Sequence, residues 1–229
     1  MYRILITRPQ SEENKELKKI LEKEYDVLID IVEVVRIQVL YDNLNSAMEI
    51  IDKFDYIGFT SQNGVKIFFD FIKDRNFFVR DKGFVAIGSM TAKKIKELFG
   101  IQKEIIIPDK YDSESLRRKL SYFTNKNILI LRSMLSLPID LPNVKEVYIY
   151  TLVPVCSGEK NLGSYDYVVL TSSFITKVFF ENFVVDTKFF VPIGPTTYNV
   201  LVKYVEKSKI LNFPDNYTIR NAIERIRSV

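Results

Sequence analysis

The chain repeats itself, and the repeat limits what it can fold into. Four short landmarks run through the first half: Ile4-Leu5-Ile6-Thr7-Arg8, Phe59-Thr60-Ser61, Ile87-Gly88-Ser89-Met90-Thr91 and Pro108-Asp109-Lys110-Tyr111. They return in the same order as Ile128-Leu129-Ile130-Leu131-Arg132, Leu170-Thr171-Ser172, Ile193-Gly194-Pro195-Thr196-Thr197 and Pro214-Asp215-Asn216-Tyr217. Gly88 and Pro108 are spaced as Gly194 and Pro214 are, and Lys66-Ile67-Phe68-Phe69 is answered by Lys177-Val178-Phe179-Phe180. Two similar units predict two similar domains of roughly 110 residues each. A cleft between domains is a common place to bind a small molecule.

Each unit is written in one grammar. The apolar run at Ile4 stops at Pro9, which cannot donate to a ladder, and Leu17, Ile20 and Leu21 then recur at helical spacing. Tyr56 to Thr60 reads as a strand buried on both faces, because no charge alternates through it. Val65, Phe68, Phe69 and Ile72 form the helical stripe after it. Phe84 to Ile87 is the next strand, followed by a turn and a helix that Gly100 can end. Ile105 to Ile107 is stopped by Pro108, and Asp112 or Ser113 caps a helix carrying Leu116 and Leu120. In the second half Val168 to Leu170, Phe190 to Ile193 and Ile210 to Phe213 are the corresponding strands. Strands alternating with helices predict an α/β protein with parallel sheets. Two β-branched runs, 31–41 and 147–155, break the rhythm. They read either as extended connectors lying side by side between the domains or as ordinary edge strands.

The absences in the composition exclude whole chemistries. There is no His and no Trp, and Cys156 is the only cysteine. A serine–histidine triad and a histidine-ligated zinc site are therefore impossible. One thiol forms no internal disulfide, which fits a reducing compartment, and Cys156 reads as a small apolar filler near a linker. The net charge of +4 is too small to imply nucleic acid but suits an anionic ligand if basic groups converge. No apolar run approaches the ~18 residues that span a membrane, and Ile4-Leu5-Ile6 between Arg3 and Arg8 is no signal peptide, so a cytoplasmic protein is expected. Neither a metal-ligand cluster, a Walker loop nor a Gly-rich dinucleotide fingerprint is written in the chain.

In parallel sheets ligands bind where strands end and helices begin. Thr60-Ser61, Gly88-Ser89 with Thr91, Thr171-Ser172 and Gly194-Pro195-Thr196-Thr197 all fall there. Such turns offer hydroxyls and helix-start amides that favour anions, although Ser and Thr at these places also serve simply as caps. Arg8 and Arg132 follow equivalent strands, where a planar fork can grip a carboxylate or remain a surface charge. Tyr148 and Tyr150 lie in the second β-branched run, where a phenol can donate a proton or merely pack at a seam. Together these features suggest binding of a small polyanion without a cofactor.

At these landmarks the chain resembles the uroporphyrinogen-III synthase family. The residues that carry the likeness are Thr7-Arg8-Pro9, Phe59-Thr60-Ser61 with Val65, Ile87-Gly88-Ser89-Met90-Thr91-Ala92, Ile193-Gly194-Pro195-Thr196-Thr197 and Pro214-Asp215-Asn216-Tyr217-Thr218-Ile219. The likeness covers essentially the whole length. It implies two Rossmann-like α/β domains with parallel sheets, joined by a two-stranded β linker at about 31–41 and 147–155. One domain would be discontinuous, 1–36 plus 153–229, and the other inserted, 37–152. It implies cyclodehydration of hydroxymethylbilane, a carboxylate-rich linear tetrapyrrole, to uroporphyrinogen III with inversion of the D ring. That is a carbon–oxygen lyase reaction of haem, sirohaem and cobalamin biosynthesis, with no metal or organic cofactor. Tyr150 is the nearest match to the family's candidate proton donor, with Tyr148 the alternative. Arg8, Thr60, Ser61, Gly88, Ser89, Thr91, Arg132, Thr171, Ser172, Gly194, Thr196 and Thr197 would bind substrate. A monomer is expected, with at most transient contact with hydroxymethylbilane synthase and no nucleic acid or membrane partner. The competing reading is a non-catalytic two-domain receptor for a small anion such as a sugar phosphate. A phosphosugar isomerase is a weaker third, because it usually wants a clear acid–base residue.

Overall fold

Apolar runs punctuated by Pro, Gly and hydroxyl residues become strands and helices in the computed structural model, which describes residues 1–75, 77, 79, 81–155 and 160–228. The chain begins with β1 (Arg3–Pro9), α1 (Glu13–Tyr25) and β2 (Leu28–Val39). It continues through α2 (Tyr41–Ile50), β3 (Tyr56–Phe59), α3 (Gln62–Ile72), β4 (Gly83–Ala86), α4 (Ser89–Phe99), β5 (Ile105–Ile106), α5 (Ser113–Leu120), β6 (Ile128–Ser133) and β7 (Val144–Pro154). It closes with β8 (Lys160–Leu170), α6 (Ser173–Asn182), β9 (Phe183–Pro192), α7 (Pro195–Leu201) and α8 (Ile219–Arg227). Two units result: Met1–Ile37 with Val153–Val229, and Gln38–Leu152. The unit boundaries fall inside β2 and β7, within the two β-branched runs. Cys156 lies outside the described residues.

The discontinuous unit has a parallel sheet in the order β2-β1-β8-β9. Ile4, Leu5 and Ile6 are consecutive and all buried, as a strand covered on both faces requires. One face packs on α1 and α8, with Ile4, Ile6, Leu21, Val169, Ile223 and Ile226 in a single core cluster. Burying each such aliphatic side chain contributes on the order of 1.5–3 kcal/mol. The strand expected at Ile210 to Phe213 shrinks to one parallel bridge, Phe190 with Ile210, and an amide bond from Leu211 to the Phe190 carbonyl. Pro214 has no N–H with which to extend that pairing.

The inserted unit has a parallel sheet in the order β5-β4-β3-β6-β7. The Phe99 ring contacts Phe59, Phe68, Phe69 and Phe84 with centroids 5.5–6.3 Å apart, fastening α3 and α4 to one face. On the other face Leu116 and Leu120 of α5 join Val85, Ile128, Ile130 and Ile139. Every residue of β6 is buried, including Arg132 and Ser133. Its register against β7 slips between those two, so Arg132 faces Tyr148 while Ser133 faces Tyr150. β5 is only two residues long.

Candidate active site

In the inserted unit β3 runs into α3 through Thr60 and Ser61. Ser61 adopts an extended φ of −164° and caps the helix, its Oγ accepting from the Gly64 amide at 3.0 Å. The same Oγ lies 2.7 Å from the Tyr150 hydroxyl. Tyr150 is 5% exposed. Burial pushes its phenol above the usual value, over the opposing effects of the Ser61 and Ser133 hydroxyls and of the Arg132 charge. The site thus holds a neutral phenol beside a helix N-terminus whose first amides lack intrahelical partners. Thr60 Oγ1 is buried without a hydrogen-bond partner.

Gly88 starts α4 and has no side chain to cap it. A Cβ there would stand 2.8 Å from Cγ of Tyr111, so the glycine is what lets that ring cover the helix start. Ser89 is exposed at this turn and Thr91 is buried. Tyr148 is half-buried, and its carbonyl accepts from Asn43 Nδ2 at 2.7 Å. The register slip disrupts the simple two-residue alternation that would have put Tyr148 and Tyr150 in matching positions.

Arg132 corrects one expectation. Its side chain is fully buried rather than presented to a ligand, pairing with Glu146 and donating to the Leu137 carbonyl. The reason is local supply: Glu146, from the neighbouring strand, and Leu137, from the loop after β6, meet the guanidinium inside the unit. Nε has no partner.

In the discontinuous unit the corresponding strand ends are tied together. Thr7 Oγ1 donates to the Val169 carbonyl and accepts from the Thr171 amide, each at 3.2 Å, and Thr171 Oγ1 donates to the Thr7 carbonyl at 2.6 Å. Ser172 caps α6 through the Ile175 amide at 3.2 Å. Arg8 is half-buried, its Nε donating to Asn14 Oδ1 at 3.2 Å. Burial lowers the guanidinium from its usual value while Glu13 opposes that shift. Gly194 caps α7 with Pro195 at the first position, where the missing N–H costs nothing. A Cβ on Gly194 would lie 3.2 Å from Cγ of Tyr217, the counterpart of Tyr111 at Gly88. Thr196 is exposed and Thr197 is buried.

Within the inserted unit the fold therefore joins Ser61 to Tyr150; within the other it joins Thr171 to Thr7, with Ser172 next in the chain. Sequence reasoning missed Ser133, Glu146, Tyr111 and Tyr217. The two tyrosines close equivalent landmarks, so the repeat carried a signal for them; Ser133 and Glu146 had none. A cavity of about 730 Å³ lies elsewhere in the inserted unit, lined by Lys110, Arg118 and Tyr122 among others. Among the described residues there is no group of three His, Cys, Asp or Glu side chains that could hold a metal ion. No described helix is long and apolar enough to cross a membrane.

Comparison with known proteins follows the same lines. The family model for "Uroporphyrinogen-III synthase HemD" matches residues 15–224. A protein of Methanocaldococcus jannaschii, provisionally named a uroporphyrinogen-III synthase, is 27% identical over 99% of this chain and 98% of its own. The crystal structure of a mutant uroporphyrinogen III synthase from Thermus thermophilus superposes with a TM-score of 0.59, covering 100% of this chain and 97% of that one. At 13% identity that likeness is one of fold: mixed α/β with largely parallel sheets.

Proposed function

The chain belongs to the uroporphyrinogen-III synthase family, and we propose that it catalyses the family's reaction, cyclodehydration of hydroxymethylbilane to uroporphyrinogen III with inversion of the D ring. The family match over residues 15–224 carries this reading. The Tyr150–Ser61 pair supports it with chemistry that the reaction needs. Loss of the substrate's hydroxyl together with the pyrrole N–H proton gives a reactive azafulvene; a neutral phenol can donate to the departing oxygen, so that it leaves as water, and is reprotonated as the N–H proton is released. The ring then closes through a spiro intermediate.

Hydroxymethylbilane closes unaided to the type I isomer, so the protein's main task is to hold the chain in the other arrangement. Positioning of this kind lowers barriers by up to roughly 7–11 kcal/mol in well-oriented model systems. Within the inserted unit the Ser61 and Gly88 helix starts would hold carboxylates, and within the discontinuous unit the Ser172 helix start and Arg8 offer groups of the same kind. Buried Arg132 is left out of that set. We read the protein as a cytoplasmic monomer that needs no cofactor.

The test supplies porphobilinogen and its deaminase, adds this protein, oxidises the products and separates the uroporphyrin isomers. Type III in excess of the spontaneous type I product is the expected result. Type I alone from folded protein overturns the reading.

A further inference from the structure

The mechanism above leaves the buried Arg132 unused. Arg132 is fully buried at the end of β6, and Glu146 beside it is 14% exposed. A buried ion pair is weak evidence for stability, because desolvation cancels much of its attraction. Its geometry points to a different role. The guanidinium donates to Glu146 Oε2 and to the Leu137 carbonyl. Glu146 Oε1 accepts from the Ile139 amide at 2.8 Å and the Asp140 amide at 3.3 Å. All of these bonds converge on the single loop between Ser133 and Asp140.

The other end of that loop is tied to the candidate proton donor. The Met134 amide donates to the Tyr150 carbonyl at 3.0 Å, and the Leu135 amide donates to Ser133 Oγ at 3.2 Å. Ser133 itself is paired with Tyr150 in the register of β6 against β7. Between these anchors Met134, Leu135 and Leu137 are 45–75% exposed, so the loop has little apolar burial of its own apart from Ile139. A loop with so few packed side chains depends on its hydrogen bonds for order.

We propose that Arg132 and Glu146 are positioning residues that hold the Ser133–Asp140 loop and, through the bond from the Met134 amide to the Tyr150 carbonyl, the placement of Tyr150. The inference rests on the reaction proposed above. It gives Arg132 a role that acts through Tyr150 rather than on the substrate. It also accounts for a repeat in which Arg8 stays half-exposed while its counterpart turns inward.

The test uses two variants of the whole chain. Glu146→Gln keeps the Oε1 acceptor for the loop amides and removes the charge. Arg132→Met combined with Glu146→Gln removes both charges, so that neither is stranded in the interior. Turnover and KM are measured per folded molecule, and amide hydrogen exchange is followed at Met134, Leu135 and Ile139. In the double variant the loop amides should exchange faster while the other β6 amides stay protected. kcat should fall by up to about 100-fold, the scale of a 1 Å misplacement, with KM changed less than twofold or so. Glu146→Gln alone strands the Arg132 charge, so its loop amides should exchange at least as fast as those of the double variant, with kcat reduced at least as far. Unchanged loop exchange, or faster exchange with unchanged kcat, overturns the proposal. If the wild-type protein makes no type III product, the function reading fails by itself, and the exchange data still decide whether the pair holds the loop.

Discussion

The Tyr150 hydroxyl lies 2.7 Å from Ser61 Oγ although 89 residues separate them in the chain. One side chain thus caps a helix and contacts the buried phenol. Removing either partner should separate chemistry from folding. Tyr150→Phe keeps the ring's packing and should lower kcat by about 10²–10⁴-fold, the usual contribution of a positioned acid. The coupled isomer assay measures it, and turnover at the wild-type rate would remove Tyr150 as donor.

Ser61→Ala removes the cap bond to Gly64 as well as the contact to Tyr150. The cap alone is worth about 1 kcal/mol. Urea unfolding should register a loss of that size, and activity should fall further than the lost stability explains. Retention of full activity would mean that Tyr150 works without Ser61.

The alkaline limb of activity should be displaced upward. Burial raises the Tyr150 phenol despite Ser61, Ser133 and Arg132. A raised pKa keeps the proton on the donor as pH rises, so activity should persist past pH ~10, the ordinary tyrosine value, and fall only above it. A limb well below that value in the kcat profile would assign the titration to another group.

Phe99→Ala should destabilise the inserted unit by about 3–5 kcal/mol, because four other phenylalanine rings contact Phe99. Calorimetry checks it. A loss below about 1 kcal/mol would mean that the cluster collapses to fill the gap.

Acid stability should depend on Asp166. Its carboxylate is held below the usual range by the Arg3 amide at 2.9 Å and then by Lys188 at 2.6 Å. A depressed folded-state pKa means the contribution is present above the unfolded value near 3.9 and lost as pH falls through the folded one. The stability gap between wild type and Asp166→Asn should therefore be widest near neutrality and close below about pH 4. A gap that does not vary with pH would remove the charge as its cause.

Much of the fold could be read from the chain because its causes are local. Pro9 and Pro108 end strands by lacking a donor, Gly100 accepts the left-handed φ of 63° that ends α4, and Asp112 caps α5. The helix starts at Ser61, Gly88, Ser172 and Gly194 follow from the same short-range rules. Ile210 to Phe213 departs from its expected strand because a strand needs a partner along its whole length, and only Ile210 and Leu211 find one.

Arg8 and Arg132 mark the limit of such reading. They end equivalent landmarks, so local sequence treats them alike. Yet Arg8 meets Asn14 at a half-exposed turn, whereas Arg132 meets Glu146 and the Leu137 carbonyl in the interior. Tyr150 and Tyr148 differ for a similar reason, because the register slip against Arg132 and Ser133 decides their surroundings. The sequence by itself determined the repeat, the element types and the hydroxyl-bearing turns, all governed by interactions within a few residues. Only the tertiary structure decided which arginine turns inward and which tyrosine meets Ser61, because burial and long-range partners, not neighbours in the chain, set those choices.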